Sequence, residues 1–274
     1  MQQVVDTLNI VMPLFYLAVF GSFLFNFIKD HRRAHNLNRL FLFLALMLHT
    51  TYIILRTIAF DHPPITNVFE IFTLLSFAIA LAYFILELAT DIKGTGVFIL
   101  SLSLKFQLIS SIFIVDLLEV KDVLRSNLLG IHVFSALLGY AGITISAVYG
   151  FLYLLLYDDI KKSKYGLIFE RLPNLEILEK LSFYSAIFGF LTLTIAMAIG
   201  IIWLPQAFPD FSFTDAKLIA TAVIWLLYGA GIGFKISGKW QGKKVVVLSI
   251  AGFLIAIAST IITNFIARSF HAFY

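Results

Sequence analysis

Eight apolar runs recur along the 274-residue chain, at about 7–28, 39–60, 66–88, 96–116, 129–157, 181–204, 215–235 and 245–268. Each approaches or exceeds the roughly 20 residues that a helix needs to cross a bilayer, and shorter polar segments separate them. The pattern predicts an all-α polytopic integral membrane protein, a single eight-helix membrane domain over 1–274. Two connections exceed a turn. LLEVKDVLRSNL (117–128) has apolar residues at helical spacing and predicts a short interfacial helix. The segment 158–180 contains ERLPNLEILEKL, which predicts an amphipathic stretch after Pro173. Pro205 and Pro209 are expected to stop the sixth helix and stiffen the loop WLPQAFPDFSFTDAK (203–217).

Composition agrees with the pattern. With 60% hydrophobic and 13% charged residues, the chain has too little polar surface to coat a soluble fold. The basic residues set the orientation. Fourteen of the twenty Lys and Arg fall in the 1–2, 3–4, 5–6 and 7–8 connections, and four fall on the opposite side. By the positive-inside rule the odd-numbered connections are cytoplasmic, both termini are extracytoplasmic, and the expected location is a bacterial inner membrane. The net charge of +4 is thus a matter of topology and implies no nucleic-acid partner. The first run is followed, not preceded, by its basic cluster, which predicts a membrane helix and not a signal peptide. There is no cysteine, which excludes thiolate metal sites and covalent haem attachment through this chain's own thiols.

Ionisable residues within spans are costly and therefore mark candidate chemistry. His49 and Arg56 lie seven apart on the second helix, nearly on one face; Lys105 lies within the fourth, and Glu70 just inside the third. Arg56 has Glu70 or Asp61 as available counter-ions, Lys105 has none in sight, and a lone membrane histidine such as His49 commonly makes an interhelical hydrogen bond. His132 opens the fifth helix and His271 follows the eighth, both on the predicted extracytoplasmic side. Two imidazoles flanking an aromatic shelf suit a haem iron with two axial ligands; the alternative, which topology alone favours, is two unrelated interfacial histidines. Trp203, Phe208, Phe211 and Phe213 would form that shelf, or an interfacial anchor. Asp215 is placed to cap the seventh helix, and Lys217 to meet a haem propionate or a lipid phosphate.

Several segments, in order, resemble the haem-handling CcsA/CcmC proteins of cytochrome c assembly, and more closely their HemX relatives. GIHVFSALLGYAG carries the external histidine, and GFLTLTIAMAIGIIW ends in Trp before the loop. WLLYG keeps the family's Trp–x–x–Tyr pair at Trp225 and Tyr228, KISGKWQGKK its basic loop, and FHAFY its terminal histidine. HPPITNVFEIFTLLSF resembles the Pro–x–x–Asn–x–x–Glu segment of the first half. The resemblance is strongest over 129–274, which it identifies as the haem-handling core. Departures lie in the loop. The family's loop ends Trp–x–Trp–Asp-Pro-Lys-Glu; here Trp203, Asp215 and Lys217 remain, while Ala216 and Leu218 replace the Pro and the Glu. His49 resembles the family's first-half membrane histidine, and the position of its second-half counterpart falls on Gly233.

The eroded loop directs the resemblance towards a HemX-like protein that is not itself an enzyme. It implies non-covalent haem b held between His132 and His271, with Trp203, Phe208, Phe211, Phe213, His49 and Arg56 as further contacts. The implied partners are membrane lipid, haem, and either a cytoplasmic tetrapyrrole enzyme (glutamyl-tRNA reductase) or a cytochrome c maturation subunit. The alternative is a CcsA-type subunit of a synthase that hands haem to apocytochrome thiols. A third reading, a transporter with His49, Arg56 and Lys105 along its path, lacks the interrupted paired helices common in that class.

Overall fold

The computed structural model describes residues 1–29, 32–117, 120, 122–207 and 212–265, without the side chains of 32–35, 206, 260, 261 and 263–265. The described chain is helical: α1 (Gln2–Lys29), α2 (Arg32–Phe60), α3 (Val68–Thr90), α4 (Gly96–Phe113), α5 (Asn127–Lys161), α6 (Leu167–Arg171), α7 (Leu175–Ala207), α8 (Ala216–Ile236) and α9 (Lys243–Phe265). Seven of these are long and apolar enough to cross a membrane: α1, α2 from Asn36, α3, α4, α5, α7 to Pro205, and α8. That makes the protein a multi-pass membrane protein. α9 coincides with the eighth apolar run, whose last residues lie outside the described ones, and it is not among the seven.

The chain forms two compact units. The first comprises Met1–Leu137 with Glu170–Pro173, the second Leu138–Phe169 with Asn174–Tyr274. In the first unit α3 packs on α4, and α1 packs on both α2 and α4. In the second, α7, α8 and α9 pack on one another.

Local chemistry sets the helix ends. Asn67 caps α3: its side-chain oxygen accepts from the backbone N–H of Phe69 (3.0 Å) and Glu70 (2.9 Å). α3 ends at Asp91, whose left-handed backbone (φ 51°) closes the last turn with an N–H bond to the Glu87 carbonyl at 2.9 Å. Asp215 caps α8 as expected, accepting from the Lys217 N–H at 2.9 Å.

Three local expectations are corrected. α7 runs through Pro205 to Ala207. A proline removes only its own N–H, so close to the C-terminal end it costs one helical bond and the turn still completes. The expected amphipathic stretch after Pro173 is not separate from the membrane helix: Asn174 accepts the Ile177 N–H at 2.9 Å, and α7 begins at Leu175 and continues into the span. Of the interfacial helix expected over 117–128, residues 118, 119 and 121 lie outside the described ones, Asp122–Arg125 form a single 3-10 turn, and Asn127 and Leu128 already belong to α5. Side chains hold this connection instead, because His62 binds the Leu117 carbonyl (2.9 Å) and Arg125 reaches Asp61 (2.8 Å).

Candidate functional site

The first unit is built on buried polar groups. α3 turns a stripe of them inward: Glu70, Thr73, Ser76, Tyr83 and Glu87 are all buried. Each carboxylate on that stripe meets an arginine from α2. Arg56, 2% exposed, donates from Nε (3.1 Å) and Nη2 (2.9 Å) to Glu70 Oε1 and from Nη2 to Asp116 (2.7 Å), with its guanidinium 4.8 Å above the Phe60 ring. The second oxygen of Glu70 accepts from the Thr66 N–H and hydroxyl, both at 2.7 Å. Buried ion pairs persist when their remaining lone pairs and protons are bonded, and Glu70 meets that condition. At the other end of α3, Glu87 receives Arg39 Nε at 3.2 Å, and Arg39 also bonds Asp91. A cavity of about 100 Å³ lies at this end, lined by Phe23, Asn26, Asn38, Tyr83, Glu87 and Arg171.

Between the two clamps sits His49, fully buried. Tyr16 Oη lies 2.8 Å from Nδ1 and Thr73 Oγ1 lies 3.0 Å from Nε2. Thr73 spends its single hydroxyl hydrogen on Gln107 Oε1 at 2.9 Å, so Nε2 must donate to it and Nδ1 must accept from Tyr16. The chain continues from Gln107 Nε2 to Ser111 Oγ (3.0 Å), and Asn9 binds the Ser111 carbonyl (3.1 Å). The structure thus brings His49 and Arg56 to the same buried side of α2, each with its polar atoms engaged by neighbours. His62 is engaged too: Nδ1 and Nε2 lie 2.9 Å from the carbonyls of Pro63 and Leu117.

The second unit is held differently. α5 and α7 touch backbone to backbone at Gly142 and Gly189; a Cβ on Gly142 would lie 2.6 Å from the Gly189 nitrogen. One turn on, Ser146 and Ser182 exchange hydroxyl-to-carbonyl bonds at 2.7 and 2.9 Å. Trp225 donates Nε1 to Thr194 (2.7 Å) and stacks on Phe190 at 5.2 Å, and Tyr228 donates to the Ser249 carbonyl (2.9 Å). The Trp–x–x–Tyr pair therefore joins α8 to α7 and α9.

The remaining candidates are placed as follows. His132 is half-buried near the start of α5, Trp203 is half-buried in the last turns of α7, and Phe213 is exposed before α8. His271, Phe208 and Phe211 lie outside the described residues. Of the histidines whose side chains are described, His49 places both ring nitrogens in hydrogen bonds.

Sequence reasoning missed the Arg39–Glu87–Asp91 clamp. Its signal was equal spacing: Arg39 to Arg56 and Glu70 to Glu87 are both seventeen positions, as two antiparallel helices pinned at both ends require. It also missed the small-residue series Gly139, Gly142, Ser146 on α5, set against Ser182 and Gly189 on α7, a spacing known to let membrane helices approach closely.

These features define a polytopic α-helical membrane protein with a clamped polar first unit and a closely packed second one. The chain belongs to the cytochrome c assembly protein family, which it matches over residues 7–271. It is 28% identical to the cytochrome c biogenesis protein CcsA of Prochlorococcus marinus (strain NATL2A), over 97% of this chain and 90% of that protein. It is 24% identical to the CcsA of Guillardia theta, over 80% of this chain and 79% of that protein. Protein HemX of Bacillus subtilis (strain 168) is 28% identical over 55% of this chain and 54% of its own length. The preference for a HemX-like protein drawn from the loop is corrected accordingly: the CcsA-type alternative matches far more of the chain. The loop misled because it is a short segment, and its substitutions weigh little against a match over nearly the whole chain.

Proposed function

We propose that this protein is a CcsA-type, haem-handling subunit of a cytochrome c maturation system in a bacterial inner membrane. The observation that carries the reading is the extent of the match, nearly end to end with CcsA relatives and about half the chain with HemX. In this reading the chain forms one membrane domain with eight spans and extracytoplasmic termini, as its basic residues favour, and 129–274 is the part that handles haem. Haem b is cargo, held non-covalently, and supplies the vinyl groups that apocytochrome thiols attack. His132 and His271 are the axial ligands, with Trp203, Phe208, Phe211 and Phe213 against the porphyrin. His49 and Arg56 belong to the buried frame of the first unit, where their bonding partners hold them. With no cysteine of its own, the chain cannot retain haem through a thioether, which suits a carrier. A second maturation subunit would position the apocytochrome.

The test is co-expression with an apocytochrome c and a candidate partner subunit in a host lacking its own maturation system. Covalent haem on the cytochrome, detected by haem staining after denaturing electrophoresis, is the expected result. No holocytochrome with any partner, together with altered tetrapyrrole enzyme levels, would move the assignment to the HemX-type role.

A further inference from the structure

Lys105 is the tenth of eighteen residues in α4, at the middle of a membrane-spanning helix, and its side chain is exposed. Among the described residues it makes no hydrogen bond, ion pair or ring contact. By contrast the buried charges near the ends of α2 and α3, Arg39 and Arg56 with Glu87 and Glu70, are paired. At about 1.5 Å per residue, Lys105 is about 12 Å from the nearer end of α4, farther than a four-carbon side chain can lift its ammonium. Snorkelling to a lipid headgroup therefore does not explain it.

Among the described residues none supplies the counter-charge: each described Asp and Glu lies in a connection, in short α6, or within five residues of the end of a long helix. Asp30, Glu119 and Asp210 lie outside the described residues and fall outside the apolar runs of the sequence. With no acidic residue inside the middle of an apolar run, a second copy of the chain has nothing to offer there either. The lysine does not stand alone. Leu108, Ile109 and Ile112 follow it at helical spacing and are exposed, while Ser103, Leu104, Gln107 and Ser110 are buried in the first unit. One face of α4 is thus an apolar stripe with a single cation at mid-depth.

We propose that this face docks a transmembrane helix of a different membrane protein, one that carries an Asp or Glu near its middle. Apolar side chains on Leu108, Ile109 and Ile112 give packing but no preference over lipid, since hydrocarbon offers the same contact. The Lys105 ammonium supplies the preference, because its alternative is an unpaired charge in hydrocarbon. The proposal does not depend on the haem assignment: the helix docks whether or not haem is bound.

The experiment places a photo-crosslinking residue at Leu108 in the full-length chain, in membranes of its own host, with the same residue at exposed Ile85 on α3 as control. The expected result is an adduct at Leu108 and not at Ile85. Peptide mapping should assign it to a transmembrane segment with a carboxylate within one turn of the cross-linked position. The yield should fall about three- to ten-fold in Lys105→Met and persist in Lys105→Arg. Lys105→Glu should lose the adduct and regain it when the acidic residue on the mapped helix is changed to Lys. An adduct only to lipid, to a second copy, or to a helix without an acidic residue would overturn the proposal. So would a yield unchanged in Lys105→Met. Should Lys105→Met fail to accumulate, the identity of the helix captured by the wild-type background decides.

Discussion

The two units of this protein solve the same problem with opposite chemistry. In the first, helices without a hydrophobic drive to associate in lipid are joined by buried charge and amide groups: Arg56 on Glu70 and Asp116, Arg39 on Glu87, His49 between Tyr16 and Thr73. In the second, α5 and α7 are joined by absence of bulk at Gly142 and Gly189 and by serine hydroxyls returned to backbone carbonyls. The first device fixes register, because an arginine one turn away from its carboxylate is a buried unpaired ion. The second fixes distance, because any side chain at the crossing forces the backbones apart.

The comparison breaks most visibly at Arg56. Arg56→Ala leaves Glu70 buried without its counter-ion and should destabilise the protein by about 3–5 kcal/mol, seen as a large fall in the melting temperature of the detergent-purified protein. A fall of only a degree or two would mean that Thr66 alone satisfies the carboxylate. Next comes Gly142→Val, whose added atoms meet the Gly189 backbone; the cost should be about 1–3 kcal/mol. Hydrogen exchange should rise in α5 and α7 while α3 and α4 keep their protection, and equal loss in all four helices would deny the contrast between the units. His49→Phe leaves the Tyr16 hydroxyl without its acceptor and the Thr73 oxygen without its donor, and should cost about 1–2 kcal/mol, measured by the same melting assay, without loss of any bound haem. The smallest effect belongs to Ser182→Ala, about 0.6 kcal/mol as is typical for a neutral interhelical bond in a membrane. Ser182→Leu should cost far more, since size and not hydrogen bonding governs that seam.

Much of this was legible in the chain. A span is a local property, so the apolar runs mark the helices; Arg56 could be matched to Glu70 or Asp61 as costly charges near one membrane face, and the fold selects Glu70, with Asp61 going to Arg125. Asp116 could not be assigned, since only the fold shows that the end of α4 returns to Arg56. Arg39 and Glu87 were hidden by position: each sits near a helix end, where a charge needs no partner to be tolerated. Pro205 misled because a rule for helix interiors was applied at a helix end. The glycine and serine seam carried a readable spacing, but small residues inside an apolar run do not say which helix they face. The family pair Trp225 and Tyr228 was recognised by order alone; its packing on Phe190, Thr194 and Ser249 needed coordinates.

For function the same contrast gives a direct test, because the proposal assigns haem to His132 and His271 and leaves His49 to the frame. The decisive measurement is the absorption spectrum, with haem content, of the purified protein and of His132→Ala, His271→Ala and His49→Phe. The account predicts a low-spin haem spectrum in the wild type and in His49→Phe, and its loss in both His132→Ala and His271→Ala. A wild type that retains no haem, or a spectrum that survives both alanine substitutions and vanishes with His49→Phe, would contradict it.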